Sequence, residues 1–149
     1  MKTHKTKKAP VGRGRRRCEP PPIGPLLWWR TIRADHFNVA AAGALRASIA
    51  NVFIPGEPTW RDAADGDEAA AVGLALRLHK GTSPVTYDLV MTALAACAAE
   101  DGAAACLAMA HMLRGFPGAG RAEARIATSW LVRSFMKTTS SEEETGSGR

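Results

Sequence analysis

The chain has 149 residues, of which 46% are hydrophobic and only 6% aromatic, with alanine supplying much of the apolar share. That is enough for one domain, and no run approaches the ~18 apolar residues needed to span a bilayer. The formal charge of +6 is unevenly placed: residues 1–33 carry ten Lys/Arg against one acid, +9, and the remainder ten against thirteen, −3.

Residues 1–25, MKTHKTKKAPVGRGRRRCEPPPIGP, hold eight Lys/Arg by Arg17 and prolines at 20, 21, 22 and 25. With so few large apolar groups this basic arm cannot offset its ordering entropy, and disorder is expected. Lys7, Lys8, Arg13, Arg15, Arg16 and Arg17 are suited to neutralising phosphates, which gives affinity for nucleic acid without sequence choice. A solvated, solubilising tail explains the same charges. No aromatic residue lies among them, which weighs against single-strand recognition. The stretch PPPIGPLLWWR is broken by prolines and lacks the apolar core of a signal peptide, and the Gly and Pro content argues against a mitochondrial presequence. A polybasic arm before Leu26-Leu27-Trp28-Trp29 has the composition of a membrane-surface device, but the prolines forbid the long amphipathic helix such devices use, so membrane association is not expected. The four apolar residues read instead as a hydrophobic plug over the exposed face of the first helix.

Asp35 is expected to cap a helix whose stripe is Ala42, Leu45, Ile49 and Val52, ending at Phe53 before Pro55-Gly56. Trp60 opens a short helix through Ala64. Asp67 caps a helix over 68–80 that Gly81 terminates. Ser83-Pro84 restarts the chain with a hydroxyl cap and a proline at the first helical position, and Tyr87, Val90, Met91, Leu94 and Ala98 then recur at helical spacing. Asp101-Gly102 turns into a helix over 103–114, residues 116–120 form a loop, and a last helix carries Ile126, Ala127, Trp130 and Leu131 to Met136. Residues 137–149 are polar and read as a loose, disordered tail.

The central stretch repeats itself. Displaced by 34 residues, DEAAAVGLALRLHKG (67–81) lies over DGAAACLAMAHMLRG (101–115), with Asp67 on Asp101, Leu78 on Met112, Lys80 on Arg114 and Gly81 on Gly115. Trp130 follows Gly102 by 28 residues, as Leu94 follows Gly66. Such units cannot bury their own faces and must stack on a copy. The glycines at 66, 81 and 102, the Ala and Leu positions between them, Ala98-Ala99-Glu100-Asp101-Gly102 and Ala127-x-x-Trp130 resemble the Sel-one-like repeat, a branch of the tetratricopeptide class. A degenerate third match is Ile49-Ala50-x-x-Phe53-x-x-Gly56. Ala75 stands where the family has glycine, and Leu78 and Met112 where it has an aromatic.

The expected fold is all-α: stacked antiparallel helical hairpins forming a short α-solenoid over 26–136, with repeats near 66–101 and 102–136. The alternative is an alanine-rich helical bundle. The resemblance implies a scaffold that binds a peptide or partner helix in its groove, through first-helix side chains on the concave side: Arg77, His79, His111 and Arg114. Two full copies are fewer than the three such stacks need, so upstream helices or a homodimer must close the stack. Nucleic-acid binding through the arm is the rival reading. No nucleophile elbow, P-loop or dinucleotide fingerprint occurs, so an enzyme is not expected, nor a cofactor. Cys97, Cys106, His79 and His111 lack the spacing of a zinc site, and small buried thiols explain the cysteines. Cys18, Cys97 and Cys106 form no disulfide framework, which favours a reducing compartment, the cytoplasm.

Overall fold

The structure, a computed structural model, describes residues 24–144, with side chains described through Met136. The basic positions 7–17, Cys18 and residues 145–149 lie outside the described residues. Helices α1 (Trp28–Thr31), α2 (Val39–Ile49), α3 (Trp60–Asp65), α4 (Glu68–Leu76), α5 (Pro84–Ala99), α6 (Ala103–Gly115) and α7 (Arg121–Glu144) are joined by turns, two of them 3-10 turns at Pro25–Leu27 and Ala34–His36. The fold is all-α, as expected. Hairpins α4–α5 and α6–α7 stack side by side, α4 lying on α5 and α6, and α6 on α5 and α7. Helix α2 covers another side of α5, and α3 backs α4.

Several helix ends follow directly from the sequence. Asp67 Oδ1 accepts from Ala70 N at 2.8 Å and opens α4. Ser83 Oγ accepts from Thr86 N at 3.1 Å and opens α5, with Pro84 in its first turn. Other ends differ from expectation. The cap of α2 is Asn38, whose Oδ1 accepts from Ala41 N at 2.9 Å. Asp35 sits instead in the second 3-10 turn, paired with Arg33 at 3.0 Å, because Phe37 must first turn inward to its buried place. Helix α4 stops at Leu76, four residues short of Lys80. There Arg77 N and Leu78 N bond three residues back, to Leu74 O and Ala75 O, which tightens the last turn. The chain then closes on its own side chains: Thr82 Oγ1 accepts from His79 N at 3.1 Å and His79 Nδ1 from Gly81 N at 3.0 Å. At the other end of the chain, the helical backbone of α7 runs past Met136 to Glu144.

The core is built around α5. All eleven residues from Leu89 to Ala99 are buried, the signature of a helix enclosed on every side. Alanines 93, 95, 96, 98 and 99 admit neighbouring backbones closely but bury little area each, at roughly 25 cal/mol per Å². Bulk comes from two fully buried tryptophans. Trp29 lies 5.4 Å from Phe116 and 5.8 Å from Tyr87 between ring centroids, and its Nε1 donates to Asp88 at 3.2 Å. Trp130 lies 5.0 Å from Phe37. The segment around Trp28-Trp29 covers the first helix only in part: the Pro25–Leu27 turn packs on α2 and α5, whereas Trp29 is enclosed within the fold rather than lying over an end. Helix α1 lies on α5 and α7, and the second 3-10 turn on α7, so the N-terminal segment bridges the second helices of the two hairpins.

Two arginines add ties between elements, Arg133 within this bridge and Arg46 between α2 and the ends of α3 and α5. Arg133 Nη1 donates to Ala34 O and Phe37 O, each at 2.7 Å, and Nη2 to Ala99 O at 2.9 Å. Arg46 of α2 donates through Nε to Glu100 Oε1 at 2.8 Å and through Nη1 to Ala64 O at 3.2 Å, and its Nη2 meets Glu100 Oε2. Both guanidinium groups sit at helix C-termini, where unpaired carbonyls and the helix dipole favour a cation. The Arg46 hydrogen bonds hold the Glu100 carboxyl below its usual range.

The two hairpins begin with the same turn written in opposite order. Gly66 takes the left-handed conformation (φ 113°) and Asp67 caps α4. In the second hairpin Asp101 takes the left-handed conformation (φ 80°) and Gly102 occupies the cap. The backbone bonds agree: Asp67 N bonds to Asp62 O at 2.9 Å and Gly102 N to Cys97 O at 3.1 Å, each reaching five residues back. Glycine has no side-chain acceptor to offer, and the missing one comes from the first hairpin. Glu68 Oε1, in the first turn of α4, accepts from Ala105 N at 2.7 Å. A Cβ on Gly102 would lie 2.5 Å from that oxygen and 2.9 Å from Cys97 O. Glycine at 102 is therefore what lets one hairpin cap the other.

Candidate functional site

The first helices of the two hairpins, α4 and α6, share an outer face. Helix α6 buries Ala105, Met109 and Leu113 and turns Ala104, Leu107, His111 and Arg114 to solvent. Leu107 is 49% exposed, and Leu76 at the end of α4 is 58% exposed. Beside them a cleft of ≈ 330 Å³ opens where the connection after α4 meets the C-terminal end of α6. Leu76, Leu78, Tyr87 and Met112 supply its apolar lining, and His79, Lys80 and His111 its polar edge. A smaller hollow of ≈ 180 Å³ adjoins it, sharing His79, Lys80, Tyr87 and Pro117 and adding Arg30 and Asp88. Burial pushes the Tyr87 phenol above its ordinary pKa.

Of the four side chains expected to meet a partner, His79 and His111 come together on this cleft, one from each hairpin. Arg77 is exposed but turned toward the segment before α3, where its Nη2 bonds to Glu57 Oε2 at 2.8 Å. Arg114 is exposed in the last turn of α6 and is not part of the cleft lining. The six arm positions from Lys7 to Arg17 lie outside the described residues. Sequence reasoning missed Leu76, Leu107, Lys80 and Tyr87. A helical wheel carries a signal for Leu107, which sits with Ala104, His111 and Arg114 opposite the buried stripe. Nothing comparable marks Leu76, whose exposure depends on α4 ending there.

The cleft holds no paired nucleophile and base. Ser83, at the start of α5 and outside the cleft lining, is committed to Thr86, receiving its N–H and donating to its Oγ1 at 2.8 Å. Among the described residues no three His, Cys, Asp or Glu side chains converge on a metal-sized point. Cys97 and Cys106 are buried free thiols. Cys106 Sγ donates to Ala98 O at 3.5 Å, and burial raises the Cys97 thiol against the opposing pull of Arg46. No helix among the described residues is long and apolar enough to cross a membrane. The cleft joins an apolar lining to an edge of one ammonium and two imidazoles, a combination that complements an apolar group carrying a hydrogen-bond acceptor or negative charge. Compared with protein-family models, with curated proteins and with solved structures, the chain matches none.

Proposed function

We propose that this protein is a small helical-repeat adaptor of the Sel-one-like type, a binding protein that holds a peptide or partner helix on the α4–α6 face. One observation carries the reading: Leu76 and His79 from one hairpin and His111 from the other line a single cleft, beside the exposed Leu107. The partner of best fit is a segment with an apolar anchor followed by an acidic residue, the anchor entering between Leu76 and Met112 and the acid meeting Lys80 and the histidines. Free buried thiols suit a reducing compartment such as the cytoplasm.

A second reading rests on the charge partition. Because residues 1–33 hold +9 and the rest −3, any affinity for duplex nucleic acid belongs to the arm. The two readings separate in one experiment. Peptides are selected from a displayed random library on the full chain, and their affinities are measured for wild type, Leu76→Asp and the triple change of Arg15, Arg16 and Arg17 to Ala. The adaptor reading expects enriched peptides that lose about tenfold or more in affinity for Leu76→Asp and are nearly indifferent to the triple change. Duplex binding, if present, loses about 2–3 units of its log–log salt slope in the triple mutant. Peptides that bind Leu76→Asp as well as wild type reject the cleft.

A further inference from the structure

Trp29 is fully buried and fixes two opposite charges at the smaller hollow. Asp88 Oδ1 accepts from its Nε1 at 3.2 Å, and the guanidinium of Arg30 lies over its ring at 5.6 Å from the centroid. The indole itself is held by the rings of Tyr87 and Phe116. Arg30 and Asp88 both line the hollow, and Lys80 joins them from the connection after α4. Among the described residues none of the three forms an ion pair, with one another or with a neighbour. One oxygen of Asp88 is used by the indole, which leaves the other for a ligand. His79, also in the lining, already accepts from Gly81 N through its Nδ1.

Opposite charges that share a hollow without pairing complement a ligand that carries both signs. The ammonium of such a ligand meets Asp88, with the Tyr87 and Phe116 rings as further partners for its charge. Its carboxylate meets Arg30 and Lys80. A ligand with a carboxylate alone would set its charge against Asp88, and one with an ammonium alone would face two cations, and like charges brought together cost affinity. The hollow, at ≈ 180 Å³, accommodates a small polar head. The adjoining cleft of ≈ 330 Å³ shares Lys80 and Tyr87 with it and offers Leu76, Leu78 and Met112 to an apolar side chain. We propose that the two hollows together bind a free α-amino acid with a large apolar side chain. The site goes beyond the adaptor reading and does not rest on it, because its ligand is measured with no peptide present. Where both hold, the amino acid competes with the peptide's apolar anchor.

The test is chemical-shift titration of the isotope-labelled full chain with L-leucine, L-methionine, L-phenylalanine and L-alanine, with circular dichroism to confirm that each variant is folded. Saturable binding of at least one of the three large amino acids at or below millimolar concentration is expected, with the Trp29 indole N–H among the signals that move. The N-acetyl and amide derivatives of that amino acid should each bind more weakly by about tenfold or more. L-Alanine should be weaker by a similar factor, because its methyl group leaves the cleft empty. Asp88→Asn keeps an acceptor for the indole and removes the charge. It should weaken the free amino acid by about tenfold and leave the N-acetyl derivative within about twofold of its wild-type affinity. Lys80→Ala, at an exposed position outside the core, should weaken the free amino acid and spare the amide. Absence of binding by all three large amino acids at tens of millimolar overturns the proposal. So do derivatives that bind as tightly as the free amino acid, which would assign the hollows to a peptide terminus or an acidic segment. Alanine as tight as the large amino acids, or folded Asp88→Asn and Lys80→Ala variants that both bind as wild type, equally overturn it.

Discussion

The two stacked hairpins begin with inverted dipeptides, Gly66-Asp67 and Asp101-Gly102, yet both turns have the same backbone. The first satisfies itself: glycine takes the left-handed position and aspartate caps the helix. The second borrows its cap from Glu68 of the first. A shared turn geometry thus hides a different physical division of labour, and the stack gains a contact that holds one hairpin in register on the other.

The hairpins also differ in what fills them. Leu94 of α5 and Trp130 of α7 are both fully buried. Trp130 packs against Phe37 from the N-terminal segment, and its Nε1 has no hydrogen-bond partner among the described residues. Trp130→Ala is therefore expected to cost about 3–5 kcal/mol. Trp130→Phe, which keeps most of the ring and removes the unpaired donor, should cost clearly less. Chemical denaturation of both variants checks the order. A reversed order would mean that the indole nitrogen is satisfied and the pocket is looser than described.

The two glycines should fail for different reasons. Gly66→Ala places a Cβ on a left-handed residue and within 2.9 Å of the Arg46 guanidinium, at a cost of about 1–2 kcal/mol. Gly102→Ala keeps an ordinary φ but drives its Cβ into Glu68 and Cys97 O, with a cost of about 1–3 kcal/mol. Only the second should couple to Glu68. In a double-mutant cycle Glu68→Ala should relieve part of the Gly102→Ala defect and none of the Gly66→Ala defect. Strict additivity at 68 and 102 would refute the shared cap.

Next in size are the caps themselves. Asp67→Ala and Glu68→Ala should each lose about 1 kcal/mol. Amide exchange distinguishes them: the first should free the start of α4, the second Ala105 at the start of α6. Glu68→Gln keeps an acceptor and should fall between Glu68→Ala and wild type. Protection at Ala105 that survives Glu68→Ala would show the bond to be dispensable.

The smallest effect is a pH dependence. Glu100 has its carboxyl lowered, chiefly by the Arg46 hydrogen bond. A group depressed on folding adds stability above its unfolded pKa, and that increment disappears as pH falls through the lower folded value. Acid unfolding of wild type should therefore be steeper than that of Glu100→Gln in the range below the ordinary glutamate pKa. The difference should be modest, because the carboxylate is partly exposed and screened by solvent. Equal acid limbs for the two proteins would remove Glu100 from the ledger.

Local chemistry settled a good deal from sequence alone. Asp67, Ser83-Pro84 and the apolar periodicity of 84–99 place α4 and α5 because caps and helical spacing are short-range effects, complete within a few residues. The end of α4 was not legible, since Gly81 looks like a terminator while the backbone already turns at Leu76 to bond with Thr82 and His79. Neither were Arg46, Arg133 and Glu68 legible as structural residues. Each is a charged side chain whose partner lies 18 to 99 residues away, and no local pattern encodes such a distance. The same reason governs the cleft. His79 and His111 stand out in the sequence at equivalent ends of two hairpins, but Leu76, Lys80 and Tyr87 join them only because the hairpins stack with those ends together. Sequence determined that this chain is helical, where most of its helices begin and which residues can be buried. Tertiary structure decided which buried faces meet, because alanine-rich surfaces accept many neighbours, and the tryptophans and arginines that choose among them act across the fold.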